Sequence, residues 1–416
     1  MKLKNILNII LYTFIIVVPL VPVKTKISFI PISADTVFGG LAILLGIIYI
    51  IKCYIKDRSY LDILKSTHMK VLAVFIILFT VLSLASILYA QNKVIVVSEA
   101  IRFIEYALVF YIVLIVADND FIRKGLAIFY VVMIVAALFG ISQFIFDLSS
   151  FKDATSSMML DRGRIYSTFE NPNYWGAAIN MVIFYPIICF IEKKGSRIYN
   201  LLVFVLFFSN LLLTSTRGSW LGFFLGLGII AVVRYRKMLL ALPVLIAGAL
   251  LVPGIRVRFL SIFDFASLGD NTRVKIWKTG LEMLKDHPLL GVGNGNFYYR
   301  YYEYITVHKE LYATRTLFTA HNSYIKMFAE LGIIGGASFL MIYSSLTYLI
   351  IKAYRFGKRY KLATLSFIGF IASYLFQNFL NNLMFIPQLN VMVWIIAAML
   401  YKGYYIENTK GVVNHE

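Results

Sequence analysis

Val71-Leu-Ala-Val-Phe-Ile-Ile-Leu-Phe-Thr-Val-Leu-Ser-Leu-Ala-Ser-Ile-Leu-Tyr-Ala90 follows Lys70 and contains no charged residue. A bilayer core roughly 30 Å thick is crossed by about 20 apolar residues in a helix. Only helices and closed barrels satisfy their own backbone groups in lipid, and this run is too long for a barrel strand of about 9–11 residues. Comparable runs lie near 5–23, 35–55, 70–90, 99–117, 125–146, 174–191, 198–214, 219–233, 238–253, 323–351, 362–381 and 388–404. The 323–351 run is too long for one straight span, so its first part reads as an interfacial helix and its span as starting near Leu331. The chain therefore reads as an all-α, polytopic integral membrane protein with about twelve transmembrane helices. Its composition agrees, since 60% of residues are hydrophobic and a soluble domain cannot hide that much apolar surface.

The formal net charge is +19, which in a soluble protein would suggest nucleic acid. Here Lys and Arg collect in alternate short loops, so the expected partner is the lipid bilayer and no nucleic acid. Lys2, Lys4, Lys52, Lys56, Arg123, Lys193, Arg234, Lys358 and Lys402 belong to the rich set. By the positive-inside bias both termini are cytoplasmic. The loops 148–173, 214–218 and 254–322 then share the outer side. The chain divides into residues 1–253 with spans one to nine, a large extracytoplasmic loop at 254–322, and residues 323–416 with spans ten to twelve and a cytoplasmic tail. The first span lacks a small-residue cleavage site before Lys24 and reads as a retained helix rather than a signal peptide. Cys53 and Cys189 fall in or beside spans and imply neither a disulfide framework nor a metal cluster.

The outer loops hold arginines against this bias. Arg162 and Arg256 lie near span ends, where headgroup phosphates and a bound anion are both open readings. Arg164, Arg217 and Arg273 sit in Gly-, Asn- and Thr-punctuated segments, which favours anion binding by the planar guanidinium fork. Asn171-Pro172-Asn173 signals a turn and a helix start that carries Asn173 to the same face, with Glu170 the acidic residue beside it. Trp220 reads as an interface anchor, and Arg102 with Glu105 as an internal ion pair on one helix face, with a substrate path as the alternative. In the large loop, Val274, Ile276, Trp277, Leu281 and Leu284 recur at helical spacing over 272–286, with Asn271 or Thr272 as cap. Gly291-Val-Gly-Asn-Gly-Asn-Phe297 lacks the strand-then-helix context of a nucleotide loop and reads as a tight turn. The Tyr-rich run 298–304 reads as an interfacial aromatic surface, with a lipid or sugar platform as its functional reading. His321 precedes an apolar helix, and a neutral imidazole can take a proton from a hydroxyl. Gly332 and Gly335 suit close helix packing.

These residues resemble the O-antigen ligase / O-antigen polymerase family of bacterial envelope glycan enzymes. Arg217-Gly-Ser-Trp-Leu221 meets the ligases' RX3L pattern, and His321, Asn322, Gly332 and Gly335 meet their H-[NSQ]-x9-G-x-x-G pattern. Arg273…Trp277…His287-Pro-Leu-Leu-Gly-Val-Gly-Asn-Gly-Asn-Phe297 is similar to the family's large periplasmic loop, and the resemblance covers roughly residues 160–340. It implies a GT-C-like fold in the bacterial cytoplasmic membrane. It also implies a metal-independent inverting glycosyltransferase without cofactor, working on the outer face. The donor would be a glycan on undecaprenyl pyrophosphate, and the acceptor a glycan or glycolipid hydroxyl, in surface polysaccharide biosynthesis. His321 would be the base, with Asn322 beside it, and Arg217, Arg273 and Arg164 would hold the pyrophosphate. A repeat-unit polymerase with the same donor is the alternative within the family. A polysaccharide transporter or flippase is the alternative outside it, and would call for internal repeats and broken helices at mid-membrane depth.

Overall fold

The computed structural model describes residues 2–21, 24–27, 30–146, 164–240, 272–313 and 319–413, with a few single positions between 243 and 256. The chain is helical. Before the large loop come α1 (Lys2–Leu20), α2 (Ala34–Lys56), α3 (Thr67–Ala85), α4 (Lys93–Val116), α5 (Asn119–Ile145), α6 (Pro172–Val182), α7 (Phe184–Ile191), α8 (Arg197–Leu213) and α9 (Arg217–Val233). The loop contributes α10 (Thr272–Asp286) and α11 (Phe297–Val307). It is followed by α12 (Ser323–Phe356), α13 (Lys361–Gln377) and α14 (Pro387–Val413). A short antiparallel hairpin, β1 (Lys24–Ile27) with β2 (Ile30–Ser33), joins α1 to α2 and was not expected from the sequence. Among the described residues, seven helical stretches are long and apolar enough to cross a membrane, α6 and α7 together forming one of them, and α8, α9 and α13 are shorter apolar helices. α4 is a continuous helix whose apolar run is broken by the charges of Glu99, Arg102 and Glu105. Most of the expected 238–253 span, Arg162 and Asn271 lie outside the described residues.

α14 is the centre. Its residues 387–401 are all buried, and a helix that is apolar all round belongs inside its bundle. Trp394 is enclosed by the rings of Phe103, Phe110 and Tyr343. α9 packs along α13 at close range because Gly226 faces the Gly369 carbonyl, where a Cβ would collide.

Hydrogen bonds sort the connections into two ends. At one end Lys4 pairs with Asp118, Tyr360 Oη donates to Asn119 O, Arg234 pairs with Glu192, and Lys358 N donates to Glu407. At the other, Thr168 Oγ1 donates to Pro19 O, Tyr89 Oη to Leu290 O, Asn294 Nδ2 to Ser83 Oγ and Ser323 N to Asn378 O. The Lys- and Arg-rich loops share the first end, and the loops bearing Arg164, Arg217 and His321 share the second.

Four local readings are corrected. Arg102 reaches Glu99 at 3.6 Å rather than Glu105, and Glu105 is buried against Gly39. Trp220 is buried, with Nε1 donating to Leu211 O at 2.9 Å, so it is a core residue and no interface anchor. α10 docks through Ile276, Thr279, Gly280 and Met283, one step round from the expected stripe, and Leu281 is exposed. Gly332 serves a kink inside α12 rather than packing between helices. Its φ of 65° and ψ of −167° interrupt the helix, and a Cβ there would strike the Leu289 carbonyl. Gly335 makes room for the Leu331 side chain displaced by that kink.

Candidate active site

The site is built on helix beginnings. Asn322 caps α12, its Oδ1 accepting from Tyr324 N and Ile325 N at 3.0 Å each. Ser323 anchors the same turn by donating from N to Asn378 O at 2.8 Å and from Oγ to Asn378 Oδ1 at 2.6 Å. His321, half-buried immediately before this cap, adopts φ 49°, a left-handed conformation that non-glycine residues rarely take. The surrounding anchors over-determine that geometry and fix where the imidazole starts from.

Arg217 opens α9 after a turn in which Thr214 Oγ1 and Thr216 Oγ1 share a hydrogen bond of 2.8 Å and Ser215 takes φ 51°. Gly218 lies against Leu380 and Asn381, and Ser219 Oγ donates to Gln377 Oε1 at 2.8 Å. The segment 377–382 therefore holds both the α9 start, with Arg217, and the α12 start, with His321.

Arg273 arrives from the loop, in the first turn of α10, and is half-buried. α10 is seated by Gly280 against Ile325 and Phe297, over a small core of Ile276, Met283, Val292, Phe297 and Tyr301. Burial pushes the Arg273 guanidinium below its ordinary range, and the charge of Arg217 pushes it further. Burial, followed by the charge of Arg273, holds the His321 imidazole down at about 4. Arg217, Arg273 and His321, from three separate segments, thus lie in one electrostatic field. The imidazole is neutral near pH 7.

The remaining expected residues meet the site through the 214–216 turn. Arg164 Nε donates to Thr214 O at 2.9 Å, and Ile165 N to Leu213 O at 3.2 Å. Asn171 caps α6, accepting from Asn173 N at 2.8 Å with Pro172 at the first helical position, and Glu170 before it takes φ 58°. Gly176, one turn beyond Asn173, packs against Thr216 and Ser219. The starts of α6, α9 and α12 thus share one end of the bundle, and helix N-termini favour negative charge. Such an arrangement can hold an anionic group between two arginines, with a neutral proton acceptor beside it.

Two features were not singled out from the sequence. Lys326 and Glu330 form a buried pair at 2.6 Å, and Glu330 also accepts from Gly295 N at 2.9 Å and Phe297 N at 3.1 Å. That carboxylate ties the glycine-rich turn to α12, where Gly291, Gly293 and Gly295 all have positive φ. The i,i+4 Lys–Glu spacing in an apolar helix was the available signal. The amide cluster Gln377, Asn378, Asn381 and Asn382 was equally visible as polar residues at a span end. Asn382 is buried, and neither Oδ1 nor Nδ2 has a hydrogen-bond partner among the described residues.

Residues 202–340 match the family model for O-antigen ligase. The match runs from within α8 to within α12 and includes Arg217, Arg273 and His321. No curated protein matches the chain.

Proposed function

We propose, from the match of residues 202–340 to the O-antigen ligase family model, that this chain transfers a lipid-linked glycan to an acceptor hydroxyl at the Arg217–Arg273–His321 site. The observation that carries this reading is the shared field of those three residues, each from a different segment. The donor is a glycan on undecaprenyl pyrophosphate in the bacterial cytoplasmic membrane, and the site faces outward by the positive-inside bias of the opposite loops.

The step is a single displacement. The acceptor hydroxyl oxygen attacks the anomeric carbon while the bond from that carbon to the pyrophosphate oxygen breaks. His321 accepts the hydroxyl proton, and the electron pair leaves on undecaprenyl pyrophosphate. Attack opposite the leaving group inverts the anomeric centre. Arg217 and Arg273 neutralise charge growing on the leaving oxygen, and Arg164 steadies the turn that presents Arg217. Bound pyrophosphate also offsets the positive field at His321, so the donor raises the basicity of the group that must use it. The reaction runs without a metal, because the arginines supply the charge a cation would bring.

The test is transfer by purified protein with EDTA present, offering a lipid A core and a second lipid-linked unit separately. Product on the first alone is the ligase expected here. A ladder on the second identifies a polymerase. Transport of the lipid-linked glycan across vesicles with no change in its attachment would overturn the proposal.

A further inference from the structure

A second site lies at the opposite end of the bundle. Between α5, α7, α13 and α14 runs a cavity of about 810 Å³. Its mouth carries Arg123, Lys194, Lys358, Arg359 and Lys361, from three connections that meet at the Lys- and Arg-rich end. Its depth is apolar, with Leu126, Phe129, Met181 and Ile396 along the walls. Among the described residues, two carboxylates face this mouth: Asp120 pairs with Arg123 at 2.8 Å, and Glu407 accepts from Lys358 N at 2.8 Å and Arg359 N at 3.4 Å. The mouth therefore has a surplus of positive charge. Part-way down, Tyr130 contributes a buried hydroxyl with no hydrogen-bond partner among the described residues, held edge-on to Tyr185. Burying an unpaired hydroxyl costs free energy unless something accepts from it.

Basic rim, apolar walls and a buried, unpartnered donor match the three parts of an acidic phospholipid: phosphate head, acyl chains and ester carbonyl. An empty apolar groove would not need five cations, and a free anion would not need apolar walls. We propose that this cavity binds one anionic membrane phospholipid, headgroup at the Lys- and Arg-rich face and chains between α5 and α13. A basic pocket between helices at a membrane face is a physical match for such headgroups. The site is separate from the transfer site in position and in ligand.

Native mass spectrometry of the intact purified protein tests this with phosphatidylglycerol, phosphatidylcholine of the same chains, and inorganic phosphate. One phosphatidylglycerol should be retained at least about tenfold more tightly than phosphatidylcholine. Lys194→Glu combined with Lys361→Glu should abolish that preference. Ala127→Trp, on an exposed residue lining the cavity, should displace the lipid while leaving every charge in place. Displacement of the lipid by millimolar phosphate would overturn the proposal in favour of a free anion. Equal retention of both lipids, or unchanged retention in Ala127→Trp, would overturn it in favour of general lipid contact.

Discussion

His321 is where burial and charge meet chemistry. A base works only when deprotonated, so its activity is lost as pH falls through its pKa. With the imidazole held at about 4 in the free protein, the acid limb of kcat/KM should lie well below the usual histidine range. The acid limb of kcat reports the donor complex; on the proposed reading pyrophosphate offsets Arg273 there, and that limb should lie higher. Coincident limbs near pH 6.5, the ordinary histidine value, would contradict that coupling. Asn382 supplies a second residue-scale expectation. Its buried, unpartnered amide suits an acceptor sugar hydroxyl, so Asn382→Leu should raise acceptor KM about tenfold or more and leave donor binding unchanged. Acceptor titrations at saturating donor would show it. The sequence marked Arg217, Arg273 and His321 individually, because charge on a sparsely charged side stands out. It could not show that they share a field, since they come from two helix starts and a loop. Nor could it single out Asn382, since an asparagine at a span end is ordinary until its partners are known.

Among the elements, α12 does most to position the site. Its first two turns lie between the cap at Asn322 and the kink at Gly332, and Glu330 bolts the glycine-rich turn to them. Glu330→Gln leaves the Lys326 ammonium buried without its counter-charge and should cost about 3–5 kcal/mol. Adding Lys326→Met removes the stranded charge and should recover part of that loss. Thermal melting of the two single variants and the double variant would measure the coupling, and strict additivity would contradict it. This element was half legible. Its length marked 323–351 as more than one straight span, and the kink falls at Gly332, beside the expected boundary at Leu331. The strap was hidden, because a glycine-rich run shows that a tight turn forms but not what it clasps. The 174–191 span was legible as one run, yet α6 gives way to α7 at Ile183, where Pro186 leaves a carbonyl of the preceding turn without its donor.

At the scale of the molecule, alternate loops gather at two ends, and this was the most legible feature of all. Hydrophobic run length and loop charge carried it without any motif. A cysteine-free background, Cys53→Ser with Cys189→Ser, permits a direct check by impermeant thiol labelling of intact cells. Ser196→Cys and Asn408→Cys should be protected, while Asn171→Cys and Lys275→Cys should label from outside. The reverse pattern would invert the topology and place the site in the cytoplasm. The hairpin at 24–33 and the shifted docking face of α10 were illegible, because both depend on what the chain packs against rather than on periodicity. The claim to which every scale contributes is proton transfer at His321. Single-turnover transfer by His321→Ala, with donor binding measured in parallel, tests it most directly. The account predicts a loss of about 10²–10⁴ in the rate of transfer, with donor affinity retained through Arg217 and Arg273. Transfer at the wild-type rate in that variant would contradict it.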